Sequence, residues 1–87
     1  MRHNVVLVVM DLRRTVATNV REFREKLGIS QEELAFRARL HRTYVSGVER
    51  GVRNPTVIVL GRLAKALNIE PGLLLAGKRP AGRHAVR

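Results

Sequence analysis

The stretch from Gly28 to Pro55, GISQEELAFRARLHRTYVSGVERGVRNP, constrains this chain more than any other. It holds two helix-sized blocks, separated by a break too short for anything but a tight turn. The first block opens at Ser30, Gln31, Glu32 and Glu33, the pattern of a capping box. In such a box the serine oxygen accepts from the Glu33 backbone N–H, and the Glu33 carboxylate reaches back to the Ser30 N–H. The apolar residues Leu34, Ala35 and Ala38 then fall on one side of a helix running from Gln31 to Arg37 or Ala38. The second block, Arg42 to Arg50, turns Val45 and Val48 one way and leaves Arg42, Thr43, Ser46 and Gly47 around the rest. Gly51 supplies the residue that most easily takes the left-handed conformation ending a helix.

The flanks are helical as well. Val16, Val20, Phe23 and Leu27, spaced four, three and four, form the apolar stripe of a helix that ends at Gly28. Thr56 is the cap of a later helix whose core stripe is Val57, Leu60, Leu63, Ala64 and Leu67. Pro71 suits the first turn of a short fifth helix, in which Leu73 to Leu75 close the core. From Ala76 the composition shifts to Gly, Pro, Lys and Arg without acids, so residues 76–87 read as a disordered basic tail. The expectation is an all-α, five-helix domain over residues 12–75.

Residues 1–11 fit that pattern least. The apolar run at residues 5–10, Val5 to Met10, is rich in β-branched residues and reads as an extended segment. It is far short of the ~20 residues that cross a bilayer, and no signal-peptide cleavage site follows it. A lone strand in a helical domain has to pair across a dimer, pack on the surface or fray; alternatively, Met10 is the true start.

At 87 residues the chain has room for one domain. It contains no cysteine, which removes disulfides and thiolate metal sites and suits a cytoplasmic location. Lys plus Arg number 17 against 7 acids, a formal charge of +10. Such an excess attracts any polyanion, but its position is informative. Arg37, Arg39, Arg42, Arg50 and Arg53 cluster on and around the second block, with Glu49 the lone acid between them. Nucleic acid is therefore the expected partner.

Two short helices joined by about three residues, the second basic and polar outward, form a helix-turn-helix, whose second helix enters the major groove. The chain resembles the helix-turn-helix family of phage repressor, Cro and xenobiotic-response-element (XRE) regulators from about Val20 to Leu75. The resemblance is carried by Arg24, the Gly28-to-Ala35 segment, Arg42-Thr43-Tyr44-Val45-Ser46, Val48-Glu49-Arg50-Gly51, Arg53-Asn54-Pro55 and Leu63 to Leu67. Its second block is similar to the recognition helix of controller proteins of restriction–modification systems. This likeness implies a sequence-specific regulator of transcription, a repressor or relative, reading a palindromic operator as a homodimer.

Within that reading, residues at the start of the second block reach base edges, while phosphate contacts set register. Arg42 has the fork to donate to guanine O6 and N7, and Thr43, Tyr44 and Ser46 are the other base-contact candidates. Gly47 offers no side chain, so either specificity is relaxed there or the helix approaches more closely. Gln31, Arg50, Arg53 and Asn54 are the phosphate candidates. The resemblance also implies an architectural ion pair between Arg24 and Glu49. Val57, Ile58, Val59, Ile69 and Leu73 are candidates for a dimer interface, since Ile58 and Val59 fall off the core stripe of the helix capped by Thr56.

Other classes fare worse. His3, His41 and His84 lack metal-ligand spacing, and no nucleophile triad, phosphate loop or carboxylate pair is present. No enzyme activity, cofactor, small-molecule ligand or membrane partner is expected. Of the aromatics Phe23, Phe36 and Tyr44, two look like core, which leaves no stacking platform for RNA. The alternative is an antitoxin-type module that binds a partner protein as well as DNA, with residues 5–10 as its docking strand.

Overall fold

The computed structural model describes residues 2–77, with side chains from Leu12 onward. Five helices follow one another: α1 (Arg2–Leu27), α2 (Gln31–Ala38), α3 (Arg42–Glu49), α4 (Val57–Leu67) and α5 (Gly72–Leu75). The all-α, five-helix expectation holds. The tail expectation for residues 76–87 falls outside the described residues, except for Ala76 and Gly77, which follow α5 without regular structure.

One expectation is corrected at the start of the chain. Residues 2–11 continue α1 rather than forming an extended segment. A strand needs a neighbour for its N–H and C=O groups, and among the described residues no strand exists. A helix closes those bonds within itself, so local hydrogen bonding overrides the weak β preference of valine. The docking strand envisaged for a partner protein goes with it.

The four longer helices stop in the same way. Gly28, Arg39, Gly51 and Asn68 each have φ between 59° and 76°, in the left-handed region. In each case the next residue's N–H bonds back five positions: Ile29 to Arg24 O, Leu40 to Ala35 O, Val52 to Gly47 O, Ile69 to Ala64 O. This is the Schellman arrangement, and its apolar follower packs back on the helix it ends. Ile29, Leu40 and Ile69 do so against the core. Ser30 and Thr56 cap α2 and α4 by accepting from Glu33 N and Val59 N. The capping box at Ser30 is only half made, because Glu33 turns its carboxylate to Arg37 Nε at 2.8 Å.

The core draws on every helix: Val16 and Val20; Leu34, Ala35 and Ala38; Val45 and Val48; Leu63, Ala64 and Leu67; and Leu74. Burying each leucine or valine contributes about 1.5–3 kcal/mol. Four expected core positions lie outside it. Val57 is 83% exposed because the core-facing part of α4 begins beyond it, Leu27 is 45% exposed at the end of α1, and Leu73 and Leu75, on either side of the buried Leu74, are 44% and 46% exposed. Phe23 and Tyr44 pack against the core, whereas Phe36 stands 79% exposed.

Asn19 is a polar residue on the buried face of α1, between Val16 and Val20. Its Nδ2 donates to the carbonyls of Leu73, Leu74 and Ala76 at 3.2, 3.0 and 2.9 Å. These are end-of-helix carbonyls that α5, a single turn, leaves unpaired. One amide thus pins α5 to α1. Asn19→Ala should destabilise the domain by about 1–3 kcal/mol in denaturant melts, the range for buried groups left unpaired. Asn19→Asp should be worse still at pH 7, since a carboxylate would face three carbonyl oxygens; an aspartate variant no worse than alanine would remove the amide's donor role.

Candidate nucleic-acid interface

The position of α3 is set from inside. Glu49, in its last turn, has a side chain only 1% exposed. Arg24 of α1 meets it with both arms of the guanidinium, Nε to Oε2 at 2.7 Å and Nη2 to Oε1 at 3.0 Å. The third nitrogen of Arg24 donates to Ile29 O at 2.8 Å, tying in the loop before α2. Gln31, first residue of α2, donates from Nε2 to Glu49 Oε1 at 3.0 Å. Arg21 adds a longer contact from its Nη2 to the Glu49 backbone carbonyl at 3.4 Å. Hydrogen bonding to Glu49 raises the Arg24 guanidinium above its ordinary value, against the opposing effect of partial burial. Arg24 therefore stays charged at any pH a folded protein meets.

One carboxylate thus joins α1, α2 and α3, and every buried side-chain nitrogen and oxygen among the described residues has a partner. Gln31 has one of its two amide protons engaged in this cluster, which leaves the other for any outside acceptor. The contact from Arg21 and the bond from Gln31 to Glu49 carry no local signal in the sequence, because their acceptor lies on another helix.

Outside this clamp, α3 turns a polar face to solvent. Arg42 and Thr43 at its start are exposed, and neither side chain is committed to a partner among the described residues. His41, the residue before the helix, makes no side-chain cap. Tyr44 is half-buried, with the Arg53 guanidinium carbon 5.6 Å from its ring centroid. Ser46 Oγ accepts from Arg50 Nη1 at 2.6 Å, so a base candidate and a phosphate candidate are joined. Arg53 and Asn54 are exposed in the loop that follows. The eight candidate DNA-contact residues thus belong to α3, the loop after it, and the first residue of α2.

The dimer candidates divide. Val57 and Ile58 are 83% and 73% exposed and Leu73 is 44% exposed. Val59 and Ile69 pack against the chain's own core and offer less to a second copy.

A helix-turn-helix held by a buried ion pair, with an open basic face, defines a class of DNA-reading domain. Residues 20–74 match the helix-turn-helix family, and the chain belongs to it. Among its relatives, the control protein C.SmaI of Serratia marcescens is 48% identical over 66 residues, 76% of this chain and 79% of that protein. The crystal structure of the restriction–modification controller protein C.AhdI from Aeromonas hydrophila is similar with a TM-score of 0.68 at 48% identity, covering 69% of this chain and 91% of that one. The controller protein C.Esp1396I, solved as a tetramer in complex with its natural 35 base-pair operator, gives a TM-score of 0.68 at 35% identity over 72% of this chain and 83% of that one.

Because Glu49 is buried, removing it strands Arg24 and Gln31 at once. Glu49→Ala should lower stability by about 3–5 kcal/mol, the range for breaking a buried pair. Replacing Arg24 and Glu49 together should cost less than the sum of the singles. Additive melts would show that the contact carries no coupling.

Proposed function

We propose that this protein is a sequence-specific, double-stranded-DNA-binding regulator of transcription that lays α3 in the major groove of a palindromic operator as a homodimer. The observation that carries the reading is the uncommitted pair Arg42 and Thr43 at the exposed start of a helix clamped from behind by Arg24 and Glu49. Rigid support with free side chains at the tip is what base reading requires. Arg42, Thr43, Tyr44 and Ser46 face bases; Arg50, Arg53, Asn54 and the remaining amide proton of Gln31 face phosphates. The relatives, control proteins and an operator-bound controller tetramer among them, support the same class and give no reason to expect an enzyme. A location in the cytoplasm fits this role, and no helix among the described residues is long and apolar enough to cross a membrane.

Pairing of two copies follows from the size of the reading surface. One short helix touches too few base pairs for genomic specificity, whereas a two-fold pair doubles the site and sets the recognition helices about 34 Å apart. Val57, Ile58 and Leu73, apolar and open to solvent, are the residues for that contact.

Selection of bound fragments from random DNA would reveal the operator. On it, Arg42→Ala should lower affinity by about 1–3 kcal/mol and relax preference at one base pair per half-site. Arg53→Ala should weaken all sequences alike and flatten the salt dependence by about one phosphate. Equal losses on operator and random DNA for Arg42→Ala would reassign it to the backbone.

For the dimer, sedimentation at micromolar concentration should give a two-fold species that Ile58→Glu converts to monomer. A wild type monomeric both free and on DNA would end this part of the reading.

A further inference from the structure

Gly47 lies inside α3 with no side chain of its own, yet it is buried. What covers it is Arg53. The loop after α3 is tied to this glycine twice, since the Gly47 carbonyl accepts from Val52 N–H at 2.9 Å and from Arg53 N–H at 3.2 Å. With its backbone held there, Arg53 folds its stem back across the helix. A Cβ on Gly47 would stand 2.5 Å from Arg53 Cγ and 3.3 Å from its Nε. The guanidinium ends over the Tyr44 ring, about one helical turn toward the start of α3.

We propose that Gly47 is a positioning residue for DNA recognition: its missing Cβ is the seat for the Arg53 stem, and that seat fixes the Arg53 guanidinium beside Tyr44 on the reading face. The inference rests on α3 being the DNA-facing helix. A loop arginine ordinarily samples many rotamers and must give them up on binding. Here the main chain is pinned at one end and the guanidinium rests on an aromatic face at the other. Even one methyl group at position 47 would overlap Arg53 Cγ. That atom sits close to a backbone held by two hydrogen bonds, so relief requires a new rotamer for the whole side chain, not a shift of its tip. The guanidinium would then leave Tyr44. The helix itself has no objection to alanine, which is the better helix former.

Tyr44 is the only tyrosine and there is no tryptophan, so tyrosine emission reports on this contact alone. The test compares wild type, Gly47→Ala, Arg53→Ala, the double variant and Gly61→Ala. Gly61, inside α4, has nothing within 4 Å of a built Cβ and serves as the control. Acrylamide quenching of Tyr44 is measured for each, with affinity for the duplex selected by wild type and for a random duplex.

Gly47→Ala should raise quenching to the level of Arg53→Ala and weaken both duplexes about tenfold, the effect of losing one charge-assisted contact. The double variant should be no worse than Arg53→Ala, and Gly61→Ala should match wild type. Unchanged quenching in Gly47→Ala would overturn the seat. So would a double variant that loses as much relative to Arg53→Ala as Gly47→Ala loses relative to wild type. Should Gly47→Ala fold poorly, the double variant, which lacks the overlapping stem, restores the melt if the seat is right and stays unfolded if it is wrong. A wild type that prefers no duplex would fail the DNA reading while the quenching comparison still judges the seat.

Discussion

Everything that makes this chain a reader of DNA hangs on a single buried carboxylate. Glu49 brings a negative charge into a small domain where it cannot be hydrated, and that is tolerable only because Arg24 meets it with two nitrogens and Gln31 with a third. The geometry of those bonds fixes three elements at once. The guanidinium fork sets the angle of α1 against α3, and the Gln31 amide sets where α2 begins relative to the end of α3. The apolar core would hold five helices together without this cluster, since hydrophobic contact is non-directional. What the cluster adds is direction, and a recognition helix has to be aimed.

The remaining architecture is assembled from helix stops. Four of the five helices end in the same left-handed turn followed by an apolar residue, and three of those residues pack back on the core. This repeated device keeps connections short, so α2 and α3 are joined by Arg39, Leu40 and His41 alone. Two of the four turns use glycine, which adopts the conformation freely. Arg39 and Asn68 adopt it at some steric cost, larger for arginine, which the packing of Leu40 and Ile69 offsets. The fold is therefore specified as much at its punctuation as along its apolar stripes.

Much of this was legible in the chain. Ser30 and Thr56 as caps, Gly28 and Gly51 as stops, and the stripes through Val16, Leu34, Val45 and Leu63 lead directly to the helices observed. These are local signals, decided within a turn or two of chain. What was not legible depended on contacts between distant residues. Val57 has the right spacing for a core stripe, but helical period does not say where along α4 the neighbouring helices stop covering it. Residues 5–10 carry strand-forming residues, yet strand formation needs a partner that sequence alone cannot supply. Asn19 left a trace, a polar residue on an apolar face, but its three acceptors lie more than fifty residues away. At the candidate site, Arg42 and Thr43 stand where the motif puts them, while the coupling of Ser46 to Arg50 and of Tyr44 to Arg53 emerges only from side-chain geometry.

That coupling divides the reading face into two kinds of group. Ser46 holds Arg50, and Tyr44 together with Gly47 holds Arg53, before any DNA arrives. Ordering a long side chain on binding costs about 0.5–1.5 kcal/mol, so two arginines already ordered spare part of that loss on every duplex encountered. Arg42 is different. It is exposed and uncommitted, and under the proposed function it gives up its freedom only where a base edge returns the full set of hydrogen bonds. On the proposed reading, the pre-ordered arginines favour attachment to any backbone, and the free one discriminates among sequences. A small domain with a strong positive charge needs that division, because charge alone would bind it everywhere along a genome with nearly equal strength.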